Sequence, residues 1–231
     1  MKSSIATFSA VSMAVVAMLA AMPAPAWAVI PEGDILPYIE GGLLKTGRVS
    51  EDGLMTFPNV RVFYADLGQD LPNFSAEPGW LALDGSLPAN GTFTFQVNRA
   101  VRLWNGADFS TIQGAFSLSF GPLTPVATPA ADSIVPGFNL PIDAAGGLHD
   151  HPDYQLLAPA ADGIYLLEIS FLIPTSNLGP TDPIWILFGQ NAPEADAQAA
   201  FDYAAANVPG PGAVALIGLA LIGGTRRRRG V

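Results

Sequence analysis

Short β-prone runs, separated by glycine, proline and asparagine, most constrain the fold of this chain. The 231 residues include 24 glycines and 21 prolines, and both residue types interrupt regular structure. Between these breaks, runs rich in valine, isoleucine, phenylalanine, tyrosine and threonine are typical of strands. The clearest runs are residues 60–67, 91–97, 100–104, 115–120, 163–173 and 183–188, and weaker ones are residues 35–43, 48–57 and 154–157. We therefore expect an all-β domain, an antiparallel β-sandwich or jelly roll of eight or nine strands.

Residues 163–173 show the strictest alternation. Every second residue from Tyr165 to Ile173 is apolar, whereas Glu168 and Ser170 fall on the opposite face. This period of two predicts a half-buried strand with one polar side. Residues 183–188 are apolar at nearly every position, which is typical of a strand at the centre of a core.

One helix is expected after this β-domain, which we place at residues 29–190. Residues 191–207 are rich in alanine, and Asn191 is a suitable N-cap. Pro193 suits the first turn, and Glu194 would complete a capping box with Asn191. The sequence therefore predicts a helix of about four turns that packs on the sheet.

The first 28 residues have the three parts of a secretory signal peptide. Lys2 gives a short positive segment, residues 5–22 are mainly apolar, and Ala26 and Ala28 form an A-x-A cleavage site. The expected partners are the Sec translocase and signal peptidase. Export follows, with Val29 as the first residue after cleavage.

Residues 208–231 form a second tripartite segment. Pro209, Gly210 and Pro211 make a hinge, residues 213–224 are apolar, and a basic cluster follows at Arg226, Arg227, Arg228 and Arg229. As a helix the apolar stretch would span about 18 Å, whereas a bilayer core is about 30 Å thick. It suits a transient tag better than a permanent anchor, with the arginines held on the cytoplasmic side.

Hinge, apolar stretch and arginine cluster together resemble a PEP-CTERM sorting signal. The resemblance implies processing by an exosortase-like enzyme and a location at the cell surface, in the periplasm or outside the cell. Membrane association would be at least transient, and extracellular polysaccharide or matrix is the implied surrounding. Pro209-Gly210-Pro211 departs from the usual Pro-Glu-Pro.

Stretches inside the β-domain are also similar to planctomycete-type PEP-CTERM surface proteins, a group with no established activity. Among them are residues 61–68 (RVFYADLG), 147–151 (GLHDH) and 162–167 (DGIYLL). In that group a histidine often follows the signal peptide, where this chain has Glu32-Gly33-Asp34. The resemblance implies the export route and leaves the molecular activity open.

Charge excludes some partners. The formal net charge is −10, and the two end segments hold five of the ten basic residues. The region between them therefore carries five basic against twenty acidic residues, a net charge of −15. Such a surface repels nucleic acid and anionic lipid. The chain has no cysteine, which excludes disulfides and thiol chemistry.

His149 and His151 are the two histidines of the chain and its main chemical candidates. In an extended segment, residues two apart point to the same face, so both imidazoles could bind one Zn²⁺ or Cu²⁺ ion. Asp153 is a candidate ligand, and Asp143 or Asp153 could orient the rings. The alternative is a pair of ordinary polar loop histidines, because two imidazoles alone do not complete a site.

No motif indicates an enzyme, since a nucleophile elbow, a phosphate-binding loop and an EF-hand are all missing from the sequence. Trp80 follows a Glu-Pro-Gly loop and is the candidate for an exposed carbohydrate platform, whereas Trp104 and Trp185 fit the core. Two hypotheses remain: a non-catalytic β-sandwich at the cell surface or in the extracellular matrix, and a zinc- or copper-binding protein centred on His149 and His151.

Overall fold

A computed structural model describes residues 30–210 and confirms the all-β sandwich with one C-terminal helix. These residues hold sixteen strands in three sheets. The strands are β1 Ile35–Glu40, β2 Leu43–Val49, β3 Thr56–Pro58, β4 Val62–Asp66, β5 Phe74–Ser75, β6 Trp80–Ala82, β7 Thr92–Val97, β8 Arg102–Leu103, β9 Thr111–Ile112, β10 Phe116–Ser119, β11 Val126–Ala127, β12 Val135–Pro141, β13 Leu148–Asp150, β14 Asp153–Leu156, β15 Gly163–Leu172 and β16 Ile184–Gln190. The helix is α1, Glu194–Asn207.

The signal peptide at residues 1–28 and most of the segment at residues 208–231 lie outside the described residues. This applies to the cleavage-site residues Ala26 and Ala28, to Pro211, and to the cluster Arg226–Arg229. Pro209 and Gly210 are described, and the Arg61 guanidinium donates a hydrogen bond to the Pro209 carbonyl. Within residues 30–210, no helix has the length and apolar character needed to cross a bilayer.

The sheet that carries the candidate site has the strand order β13-β6-β1-β2-β3. Strands β1 and β2 form an antiparallel hairpin in which Glu40 pairs with Leu43. Its turn residues, Gly41 and Gly42, have φ values of 61° and 76°, which favour glycine at both positions. The sequence predicts one strand over residues 35–43. The glycine pair instead forms a tight turn, which ends β1 at Glu40 and starts β2 at Leu43.

The central seven-stranded sheet follows the order β12-β7-β15-β16-β4, with β8 paired to β15 and β9 paired to β8. A smaller sheet has the order β11-β10-β14-β5. Most pairings are antiparallel as expected, but β4 lies parallel to β16 and β1 lies parallel to β6. The second of these parallel contacts builds the candidate site.

Helix α1 covers the outer face of the central sheet. Its Ala197, Ala200 and Ala204 are buried against a cluster that includes Ile164 and Leu166. Because the opposite face of β15 packs into the main core, this strand is buried on both sides. The half-buried prediction was therefore wrong.

Glu168 lies on the covered side of β15 and is 8% exposed. Its carboxylate accepts a hydrogen bond from the Trp185 indole at 2.7 Å and pairs with Arg99 at 2.8 Å. The carboxylate is therefore paired and hydrogen-bonded, which is what burial of a charge requires.

The helix begins differently from the prediction. Pro193 occupies the N-cap position, and within residues 30–210 no side chain caps α1. Asn191 instead adopts a φ of 46°, and its amide donates to the Asp162 carboxylate at 2.8 Å. The expected capping box was wrong, because Asn191 directly follows β16 and the helix begins three residues later, at Glu194.

Candidate metal centre

Three chain segments meet at one end of the first sheet. Strand β6 lies in the middle, and its first residue, Trp80, pairs with Ile35 of β1 and with Asp150 of β13. The residues just beyond this end are therefore Asp34, Gly79 and His151. Sheet register, rather than sequence proximity, brings an aspartate beside a histidine 117 positions later.

One ligand atom each from Asp34, His149 and His151 lies within 4.8 Å of the other two. The two histidine Nε2 atoms are 3.1 Å apart, and His149 Nε2 is 3.6 Å from Asp34 Oδ2. In a tetrahedral zinc site with bonds of about 2.0–2.1 Å, ligand atoms lie about 3.3–3.4 Å apart. These two separations bracket this value, and the ligand atoms of Asp34 and His151 lie within 4.8 Å of each other.

Glu77 orients one of the imidazoles. His151 Nδ1 is 3.2 Å from Glu77 Oε1 and 3.3 Å from the Ala76 carbonyl oxygen. Both partners accept hydrogen bonds, so the proton belongs on Nδ1 and the lone pair on Nε2. This is the carboxylate–histidine arrangement that supports metal ligands. Glu77 therefore lies in the orienting position that we expected for Asp143 or Asp153.

Burial shifts the pKa of two carboxyl groups near the histidines. Desolvation raises the pKa of Glu77 above its ordinary value, although the Gly79 N–H and His151 partly offset this rise. Desolvation also raises the pKa of Asp150, between the two histidines in sequence. Asp34 is less exposed than its neighbours, at 17% of its side chain, against 58% for His149. A cation at this point would relieve the cost of keeping these carboxylates ionised.

Gly79 packs directly beneath the ligands. A Cβ atom there would lie 2.6 Å from His151 Cε1 and 2.7 Å from Asp34 Oδ1. The Gly79 N–H donates to Asp34 Oδ1 at 3.1 Å and to Glu77 Oε2 at 3.0 Å. Only glycine allows the backbone to approach both side chains this closely.

A buried hydrogen-bonded pair supports this loop from below. The Trp80 indole N–H donates to the Tyr154 hydroxyl at 3.0 Å, and that hydroxyl donates to the Pro78 carbonyl at 3.1 Å. Both side chains are 0% exposed, and burial raises the pKa of Tyr154. The core thus fixes the segment that carries Glu77 and Gly79.

Trp80 is consequently not an exposed carbohydrate platform, and that expectation was wrong. Its ring contacts Phe95 and Phe171 with centroids 5.2 Å away in each case. The Glu-Pro-Gly segment before it is a loop, but β6 begins at Trp80 and turns the side chain inward. Trp185 is buried as predicted, and Trp104 is partly buried beside the helix.

Asp153 and Asp143 lie apart from the ligand cluster. Asp153 lies on β14 and accepts a hydrogen bond from the Ser119 hydroxyl at 3.4 Å. Asp143 accepts hydrogen bonds from the backbone N–H groups of Ala145 and Gly147 at 2.8 and 2.7 Å. The third clustered side chain is Asp34. In the sequence this residue is marked only by its place in the segment where the resemblance implied a histidine.

The cluster forms part of the wall of a cavity of about 420 Å³. Six carboxylates line this cavity, namely Glu32, Asp34, Glu51, Asp66, Asp70 and Glu77. None of its described lining residues is lysine or arginine. Arg48 reaches the backbone of Glu32 but lies over the Phe57 ring and does not line the cavity.

Fold and side chains together define an all-β sandwich with a two-histidine, one-aspartate cluster at the wall of an acidic cavity. Comparison with known protein families, with curated proteins and with solved structures found no match for this chain.

Proposed function

We propose that this chain is an exported, non-catalytic β-sandwich protein that binds a zinc or copper ion through Asp34, His149 and His151. The convergence of their three ligand atoms within 4.8 Å carries the proposal. Imidazole and carboxylate suit zinc, and imidazole suits copper as well. Glu77 presents the His151 ring in the tautomer that ligation needs.

Charge favours binding over hydrolysis at such a metal. A hydrolytic site must lower the pKa of a metal-bound water and stabilise a developing oxyanion. The six carboxylates of the cavity would oppose both effects, because like charges disfavour ionisation and repel an anion. The same carboxylates attract a cation and increase its local concentration.

The proposed location rests on the two end segments of the sequence. The signal peptide at residues 1–28 supports export through the Sec translocase and signal peptidase. The PEP-CTERM-like segment at residues 208–231 supports sorting by an exosortase-like enzyme to the cell surface or extracellular matrix. An acidic protein with a metal site would there be exposed directly to the ions of the medium.

One observation favours a second candidate function, a structural or adhesive module without a metal. The His149 and His151 Nε2 atoms are 3.1 Å apart, which is also a hydrogen-bond length. If one ring carries its proton on Nε2, the pair is satisfied without any ion. A surface module would then need no ligand at this site.

Metal analysis of the purified protein separates the two candidates. We expect close to one equivalent of zinc or copper per chain after dialysis, and its loss in the His149→Ala/His151→Ala variant. An Asp34→Asn variant should bind more weakly, whereas Asp153→Asn, outside the cluster, should bind normally. Absence of binding at micromolar metal would refute the metal function and leave the structural module.

A further inference from the structure

Helix α1 ends at a proline. Val208 directly precedes Pro209, and the residue before a proline is driven out of the helical region into an extended conformation. The Val208 ψ of 127° agrees with this rule. The Val208 N–H still donates to the Ala204 carbonyl at 2.8 Å, which closes the last turn. The Pro209 carbonyl has left the helix, so its hydrogen-bond partner comes from outside α1.

Arg61 supplies this partner from the position just before β4. Its guanidinium donates to the Pro209 carbonyl across 148 positions of sequence. The backbone of Arg61 is itself fixed, because its carbonyl accepts a hydrogen bond from the Trp185 N–H at 2.8 Å. The last turn of α1 has no basic residue of its own. The Arg61 cation therefore also offsets the partial negative charge at the C-terminal end of the helix.

Residues 30–210 hold five basic side chains, and these divide into two groups. Three form salt bridges with carboxylates at 2.6–2.8 Å, namely Lys45, Arg99 and Arg102. The other two, Arg48 and Arg61, donate to backbone carbonyls, those of Glu32 and Pro209. These two carbonyls lie near opposite ends of the described chain. Each arginine therefore fastens one end segment to the sandwich.

Burial changes at the point where Arg61 holds the chain. Val208 packs against the cluster under α1, and both Val208 and Pro209 are half-buried. Gly210 is exposed, and a Cβ atom there would have no described heavy atom within 4 Å. Proteolytic cleavage concentrates in exposed chain that is not held by burial or hydrogen bonds. The chain that a processing enzyme can reach therefore begins at Gly210.

We infer that Arg61 is a positioning residue for C-terminal processing, because it holds Pro209 on the sandwich and so places the peptide bond that is broken beyond Pro209. The inference rests on the proposed sorting of the tail. When that bond is hydrolysed, water supplies the hydroxyl group of the new carboxyl end and a proton to the released amine. All of α1 then stays with the processed domain, together with Val208 and Pro209.

Limited proteolysis of the purified 231-residue chain in detergent tests this contact without the cellular enzyme. Proteinase K should trim the tail, and intact mass spectrometry should find that trimming stops beside Pro209. Loss of a hydrogen bond to a charged group opens a chain end about tenfold more often or above. Arg61→Gln should therefore lose Val208 and Pro209 at least about tenfold faster, whereas Arg61→Lys, which keeps a donor, should retain part of the protection. Arg48→Gln is the matched control and should keep the C-terminal end point.

The same masses, measured on protein from the cells that produce it, separate this inference from the sorting proposal. The processed form should end at or beyond Pro209, and Arg61→Gln should add shorter species that end within α1. If the tail is processed but Arg61→Gln changes neither the end point nor the trimming rate, the inference is overturned and the sorting proposal stands. Faster cleavage of Arg61→Gln inside the sandwich as well as at its end would also overturn it, because Arg61 would then serve the whole fold. If cells leave the tail intact, both proposals fail.

Discussion

Replacing Gly79 with alanine tests the candidate centre without touching any ligand. The new Cβ would lie 2.6 Å from His151 Cε1, 2.7 Å from Asp34 Oδ1 and 2.8 Å from His151 Nδ1. All three contacts are with side-chain ends, which move more easily than backbone. The substitution should therefore displace a ligand rather than unfold the domain.

The size of the effect follows from these distances. Carbon atoms pack at about 3.5–4.0 Å, so the imidazole must move by roughly 0.9 Å or more to clear the methyl group. Metal–ligand distances tolerate only about ±0.2 Å. Changes to residues that merely orient ligands already cost about 10–100-fold in affinity. We expect Gly79→Ala to weaken zinc binding at least tenfold, or about 1.4 kcal/mol.

Competition with a chromophoric zinc chelator measures this loss, and thermal melts of the metal-free protein check the fold. The backbone of Gly79 does not have a left-handed φ, so alanine is tolerated there apart from the ligand contacts. Gly179→Ala is the matched control, because no described heavy atom lies within 4 Å of its Cβ position. Its zinc affinity should equal that of the unchanged protein.

Zinc binding by Gly79→Ala within threefold of the unchanged protein, together with loss of binding in His149→Ala, would contradict this prediction. His151 and Asp34 would then not form the site as the structure places them. A large drop in the melting temperature of metal-free Gly79→Ala would also contradict it, because the loop beneath the ligands would then carry the fold.

Three further predictions follow from the same region and from the tail. Glu77→Gln should weaken zinc binding about 10–100-fold by chelator competition. Burial raises the pKa of Glu77, so its ionised form destabilises the fold above that pKa. The metal-free protein should therefore gain stability as the pH falls below the ordinary pKa of a glutamate. Thermal melts across pH should show no such gain in metal-free Glu77→Gln. Tyr154→Phe leaves the Trp80 indole and the Pro78 carbonyl unpaired and should cost roughly 2–4 kcal/mol in urea unfolding, whereas Tyr38→Phe, which loses an exposed contact of 3.4 Å, should cost under about 0.5 kcal/mol. Glutamine at Arg226, Arg227, Arg228 and Arg229 should impair sorting, and unchanged distribution in cell fractionation would contradict the assigned role of the tail.

Local patterns predicted those parts of the fold that local physics controls. The runs at residues 91–97, 115–120 and 183–188 became β7, β10 and β16 within a few residues. Alternation also assigned the correct face of β15 to the main core. It could not show that an alanine-lined helix covers the other face, because that contact joins segments about thirty residues apart. Such burial depends on tertiary packing and has no period in the sequence.

Local sequence patterns likewise predicted only the local part of the candidate site. The i, i+2 spacing suggested that His149 and His151 could share one face, and the structure brings their Nε2 atoms to 3.1 Å. Asp34 and Glu77 reach them only through the pairing of β6 with β1 and β13. Parallel pairing of β1 with β6 has no signature in either segment. The clue that the sequence offers is Asp34 in the Glu32-Gly33-Asp34 segment, where the resemblance implied a histidine.

The proposed metal ligands lie at the end of the sheet, whereas the side chains that stabilise the domain lie in its core. Asp34 is partly exposed and the next residue, Ile35, is fully buried, while Gly79 and Trp80 are both buried. Ile35 and Trp80 belong to the main core and pair with each other in the sheet. The core therefore positions Asp34 and Gly79 independently of any ion, and we expect the fold not to need the proposed metal as zinc fingers do. Binding should then add stability in proportion to metal concentration, about 2.7 kcal/mol at one hundred times the dissociation constant, without changing the sandwich.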